Sequence, residues 1–312
     1  MKTILFLAAV AFAAAALPSS APAQTSERDL KSQLATMLLL RDMGLNEPAR
    51  AVRIETVSQD LLEDYVSVEL KHERAGDIRL LIKGPRGFLS SGARSLRAML
   101  LVSGFFTGQE SVRLLGEIPG AVIVGFQYPY GADDFGRDPS KIAQFLRQSP
   151  AQIALALQWL ASQPWAAPKG LIATGVSLGG LILPSALHLA QEMGVNVPRG
   201  VFVCTGAHLT PIIESNLRPY LGEDNARTAA LGLANLTTLH DPKIHLPYLK
   251  GSFLSLRTDK DEVIPASSTL LLEELLPVVT SVVLEGPHIN PDQTRVIEQT
   301  RRTILRWLNP AL

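Results

Sequence analysis

The stretch 171–180, L-I-A-T-G-V-S-L-G-G, constrains this chain more than any other: an apolar run ends in G-x-S-x-G and an apolar helical pattern follows at once. A strand that enters a helix through one tight turn forces the residue at the turn into a strained backbone conformation, with its side chain standing out of the sheet. Ser177 is that residue. Gly175 and Gly179 keep the bend free of Cβ atoms that would crowd the serine backbone. The competing reading is a glycine-bordered helix start with an N-capping serine.

The flanking pattern supplies the context. Residues 98–102, 121–126, 171–176 and 201–205 are continuous apolar runs, and 253–257 and 281–284 complete the series. Runs that do not alternate are buried on both faces, as parallel strands covered by helices require. Upstream, residues 65–70 alternate with Val66, Val68 and Leu70 on one face, 73–77 form a turn and 78–83 a second strand, which makes an antiparallel hairpin. Helical spacing marks 110–117, 140–163 (broken or restarted at Pro150), 178–193 (bent slightly by Pro184 and ended by Gly194) and 292–308, with Val296, Ile297, Ile304 and Leu308 inward. The segment 206–250 is longer than an ordinary connection and reads as a small helical insertion. Together these predict one α/β domain over 61–312, with a mostly parallel central sheet, an N-terminal antiparallel hairpin and helices on both faces. Residues 24–60 read as a helical extension. There S-E-R-D from Ser26 resembles a capping box, and Leu30, Leu34, Met37, Leu38 and Arg41 follow at helical spacing until Gly44 and Pro48, for a helix packed on the outside of the domain.

The first 23 residues read as a signal peptide: Lys2, an apolar run over 4–17, and Ala21-Pro22-Ala23 as a small-residue cleavage site. That run is shorter than the roughly 20 residues needed to span a bilayer. A mature chain beginning near Gln24, periplasmic or secreted and without stable membrane insertion, is the expectation. The 29 Lys and Arg residues balance the 29 Asp and Glu residues without a basic block, which argues against a nucleic-acid partner. Cys204 is the sole cysteine, so neither an intrachain disulfide nor a cysteine-based metal site can form, and its setting V-F-V-C reads as core.

A serine hydroxyl is a poor nucleophile at neutral pH, so Ser177 needs a base to take its proton and an anion to orient that base. The chain offers six histidines for the first role. Behind the elbow stand two further loops at strand ends, R-T-D-K-D-E-V-I-P with Asp259, Asp261 and Glu262, and E-G-P-H-I-N with His288. Taken together, these motifs resemble the α/β-hydrolase family over roughly residues 61–308. The resemblance implies the chain order nucleophile, acid, histidine. It thereby points to His288 as base and to Asp261, in the D-x-x-V-P-like turn, as acid rather than Asp259 or Glu262.

Where family members often carry H-G after the third strand, this chain has Ser103-Gly104-Phe105-Phe106. The glycine remains, so the resemblance still implies an oxyanion hole from the backbone N–H groups of Phe105 and Leu178, with Phe105 and Phe106 as walls for an apolar group. The function it implies is a secreted or periplasmic, carboxylesterase-like serine hydrolase that acts on a small-molecule or acyl substrate through an acyl-enzyme, with no cofactor. A peptidase, thioesterase or amidase with the same triad, or a non-catalytic binding protein on this fold, is the alternative. His208, His240 and His245 match no zinc spacing, so no metal is expected. Asp133 and Asp134 read as solvated loop charges.

Overall fold

The computed structural model describes residues 25–309 except 60, 91, 93, 94, 105, 132, 135–137 and 139. The expected signal peptide and Phe105 therefore lie outside the described residues, as do the first side chains of the N-terminal helix.

Among the described residues, nine strands join into one sheet: β1 (Arg50–Gln59), β2 (Glu63–His72), β3 (Gly76–Pro85), β4 (Leu96–Val102), β5 (Ala121–Gln127), β6 (Ala166–Val176), β7 (Arg199–Val203), β8 (Ser252–Lys260) and β9 (Val279–Pro287). Their order is β1-β2-β3-β5-β4-β6-β7-β8-β9. The pairs β1–β2, β2–β3 and β3–β5 are antiparallel, and every later pair is parallel. The reason is visible in burial. In β4 and β5, Leu100, Val122, Val124 and Phe126 enter one core while Met99, Leu101 and Ile123 enter the other. Both faces are apolar, so both must be covered, and only helical crossovers do that for parallel strands.

The helices are α1 (Thr25–Asp42), α2 (Ser140–Ala161), α3 (Leu178–Glu192), α4 (Leu209–Leu221), α5 (Glu223–Thr237), the short α6 (Pro242–His245), α7 (Ala266–Leu275) and α8 (Thr294–Leu308). Leu39 of α1, Phe145 of α2 and Leu183 of α3 cover the first face, and Ile304 and Leu308 of α8 the second. Helices α4 to α6 make up the insertion expected over 206–250.

Four local expectations are corrected. The segment 24–60 is not helical throughout, because β1 occupies its end, held by backbone pairing to β2 while all ten of its residues stay exposed. Without a buried face it leaves little hydrophobic pattern to read. In α1 the buried stripe is Ser32, Ala35, Thr36 and Leu39, whereas Leu30, Leu34 and Met37 face outward. Small residues let the helix approach α3, and a hydroxyl–imidazole contact replaces apolar packing there. Helix α2 runs unbroken through Pro150. The proline removes one N–H from the ladder, but buried Phe145, Ser149, Ala151 and Ile153 clamp the turns on either side. Finally, the turn expected as a helix over 110–117 is a 3₁₀ segment, Gly108–Arg113.

Two buried polar devices hold the insertion. Asp241, 5% exposed, accepts the backbone N–H groups of His208 (3.2 Å), Leu209 (3.1 Å) and Lys243 (3.0 Å), so one carboxylate ties down the starts of α4 and α6. Asp241→Ala leaves three donors unmet and is expected to cost about 2 kcal/mol or more, read as a lower urea midpoint. The second device is a chain of rings. His245 Nε2 lies 2.9 Å from the Leu239 carbonyl and must donate to it; its Nδ1, 3.2 Å from Nδ1 of His188, then accepts. Thr36 of α1 closes the chain, its hydroxyl 3.3 Å from the same His188 nitrogen.

Burial pushes His245 down to about 3, with His188 and His240 adding to the effect against the Leu239 bond, and pushes His240, beside Arg147, down to about 4. Both are neutral in the folded chain at pH values where the unfolded chain, near 6.5, already binds protons. Their contribution is therefore present above pH 6.5 and is lost as the pH falls toward those folded values. Urea midpoints are expected to drop from pH 7 to pH 4.5, and less steeply in His245→Gln, which has no ring to charge.

Candidate active site

Strand β6 ends at Val176 and α3 begins at Leu178, which leaves Ser177 alone at the bend with φ 52° and ψ −120°. Its N–H donates to the Val203 carbonyl on β7 at 2.9 Å, so the strained residue is pinned by the neighbouring strand. The glycines act somewhat differently from the expectation. A Cβ on Gly179 would strike the Val102 carbonyl at the end of β4, and one on Gly175 would meet Gly180 Cα at 2.6 Å. What they permit is close approach of α3 to the sheet rather than room at the serine itself.

The Ser177 side chain makes no capping hydrogen bond, which removes the helix-start alternative. Its Oγ lies 2.9 Å from Nε2 of His288. On the far side of that ring, Nδ1 is 2.9 Å from both carboxylate oxygens of Asp261. A carboxylate can only accept, so Nδ1 carries the proton and Nε2 is left to receive the one on Ser177. Residues 111 and 27 positions apart are thus brought into one hydrogen-bonded line.

Asp261 sits just past β8. Burial by itself would raise its pKa, but the hydrogen bond and charge of His288, with the N–H groups of Ile264 (2.8 Å) and Val263 (2.9 Å), outweigh burial and hold the carboxyl below its usual range. It is an anion wherever the protein is folded near neutral pH. Its neighbours do other things: exposed Asp259 accepts the Gly286 N–H at 2.8 Å, and Glu262 accepts the His288 backbone N–H at 3.1 Å. Glu262 thereby fixes the histidine loop against the acid loop, a role visible only once the two loops meet in space.

Cys204 is core, as its apolar run implied, yet it also lies behind the acid. It has φ 46°, and burial pushes its thiol up to about 12. A sulfur, a carboxylate oxygen and a ring nitrogen from Cys204, Asp261 and His288 lie within 4.8 Å, the one such cluster among the described residues. The carboxylate and ring are already committed to each other and the thiol is protonated, so the arrangement suits proton transfer.

Leu178 is the first residue of α3, so its N–H has no acceptor within the helix and lies at the positive end of the helix dipole. Ser103, which replaces the expected histidine, donates to the Gly108 carbonyl at 2.9 Å and receives the Thr107 hydroxyl at 2.9 Å. Tyr128 donates to the Ser103 carbonyl at 2.9 Å. These bonds fold the loop after β4 tightly. Phe106 is half exposed in that loop. Asp134 accepts the Gly131 N–H and pairs with Lys141, while Asp133 is exposed. His245 is engaged by His188, and His208 enters α4 through its backbone N–H to Asp241.

No family model matches the sequence, and a comparison with curated proteins finds no match. Solved structures do match. Acetyl xylan esterase 1 from a Thermoanaerobacterium species superposes with a TM-score of 0.61 at 12% identity, covering 91% of this chain and 99% of that one. The acetyl xylan esterase of a Paenibacillus species gives 0.60 at 16% identity, over 90% and 96%. An esterase from Pyrobaculum calidifontis gives 0.55 at 17%, over 91% and 92%. With strand order, elbow and superposition in agreement, the chain has the α/β-hydrolase fold.

Proposed function

We propose that this protein is an exported serine hydrolase that cleaves a carboxylic ester through an acyl-enzyme. The observation that carries the reading is the unbroken line from Ser177 Oγ through His288 to Asp261, each link 2.9 Å. Ser177 attacks the carbonyl carbon while His288 Nε2 takes its proton, and the Asp261 anion stabilises the imidazolium. Negative charge moves onto the carbonyl oxygen, where the N–H groups of Leu178 and Phe105 stabilise it. His288 then returns the proton to the leaving alcohol, whose C–O bond breaks. A water activated by the same ring releases the acid and restores the serine.

The two acetyl xylan esterases and the Pyrobaculum esterase, the neighbours named above, support an ester as substrate. Export is supported by Lys2, the apolar residues 4–17 and the Ala21-Pro22-Ala23 site, and no described helix is long and apolar enough to cross a membrane. The test is a chromogenic aryl acetate: a burst of phenol equal to the enzyme concentration is expected, with an acetyl group on Ser177 after acid quench. Turnover without any adduct on Ser177 would overturn the proposal.

A further inference from the structure

Among the described residues, strand β1 is an edge that no other strand or helix covers. Every residue of Arg50–Gln59 is exposed, and Ile54 at its middle is 50% accessible. Between two bulges, at Ala51/Arg53 and Thr56/Ser58, residues 53–56 pair regularly with β2, so their outer edge is straight and offers unpaired backbone groups. A straight row of unpaired N–H and C=O groups is a template for another strand.

The sequence of the edge says which strand. In an antiparallel pair, directly opposite residues share a face of the sheet, so a two-fold axis normal to the sheet must run between two copies of the same residue. Centred on Arg53 or on Glu55, it would face like charges against each other. Centred on Ile54, it sets the isoleucine against itself, Arg53 against Glu55 of the second copy and Glu55 against Arg53, with Val52 meeting Thr56 on the other face. Arg53 and Glu55 already touch within one chain, so the dimer would close a four-charge ring.

We infer that β1 is a dimerisation edge, pairing antiparallel with β1 of a second copy about Ile54.

Sedimentation equilibrium of the full-length protein tests this independently of any activity. The native protein is expected to be a dimer. Arg53→Glu and Glu55→Arg, each setting like charges against each other twice across the axis, are each expected to be monomers, with dissociation constants raised at least about a hundredfold. Their equimolar mixture restores every opposite-charge pair and is expected to dimerise again. Ile54→Lys, which places a charge against its own copy, covers the case in which a charge variant does not fold. A monomeric native protein, or a dimer that survives both Glu55→Arg and Ile54→Lys, would overturn the inference, the second outcome placing the interface elsewhere.

Discussion

Ser177→Ala is expected to lower kcat toward aryl esters by roughly 10⁵-fold or more while leaving the thermal midpoint within a few degrees of native. The size follows from the geometry. Serine, histidine and aspartate form one line of hydrogen bonds, and members of such a unit lose nearly all of its effect when any one is removed. The fold should survive because the strain at Ser177 lies in its backbone, and its side chain caps nothing. Alanine also tolerates the bend no worse than serine. A variant that keeps native turnover would remove Ser177 from the chemistry, and one that unfolds would mean that the hydroxyl supports the elbow.

Asp261→Asn is expected to cost about 10² to 10⁴ in kcat, whereas Asp259→Asn should change it by less than about threefold. An asparagine keeps the shape of the acid but can turn its NH₂ toward the ring, which favours the tautomer with the proton on Nε2, where it cannot accept from Ser177. The substitution also removes the charge that stabilises the imidazolium. Asp259, by contrast, is exposed and meets only the Gly286 N–H. The acid contributes to stability as well: its folded pKa is depressed, so its contribution is present above the ordinary carboxylate range and is lost as the pH falls through the folded value. In Asp261→Asn that part of the acid sensitivity should disappear. The opposite ranking of the two variants, with both folded, would move the acid to Asp259.

The parts of the molecule legible in the sequence are those where one physical demand dominates. Central strands such as 121–126 must be apolar on both faces, and an elbow must have a residue with positive φ between strand and helix; both leave local marks. The order of acid and histidine added the rest of the line to His288. Strand β1 was missed because its alternation, Val52, Ile54 and Thr56 against Arg53 and Glu55, is short and stays exposed, so that pairing rather than burial holds it. Helix α1 was read in the wrong phase because its buried face is built from Ser32, Ala35 and Thr36, which no hydrophobicity pattern picks out. Pro150 marked a break that packing overrides. Glu262, Asp241 and the His188–His245 pair depend on segments meeting in space, with partners 26 to 57 positions apart. Only the fold brings those together.

The central claim is that Ser177 is a nucleophile activated by His288, and a fluorophosphonate tests it most directly, because it phosphonylates a serine only where a base has made the hydroxyl reactive. Native protein treated with the reagent, digested and read by mass spectrometry is expected to carry one label, on the peptide containing Ser177. Labelling should slow at least about a hundredfold in His288→Ala and be absent in Ser177→Ala. An esterase-active protein that takes no label at Ser177, or that labels equally fast without His288, would contradict the account.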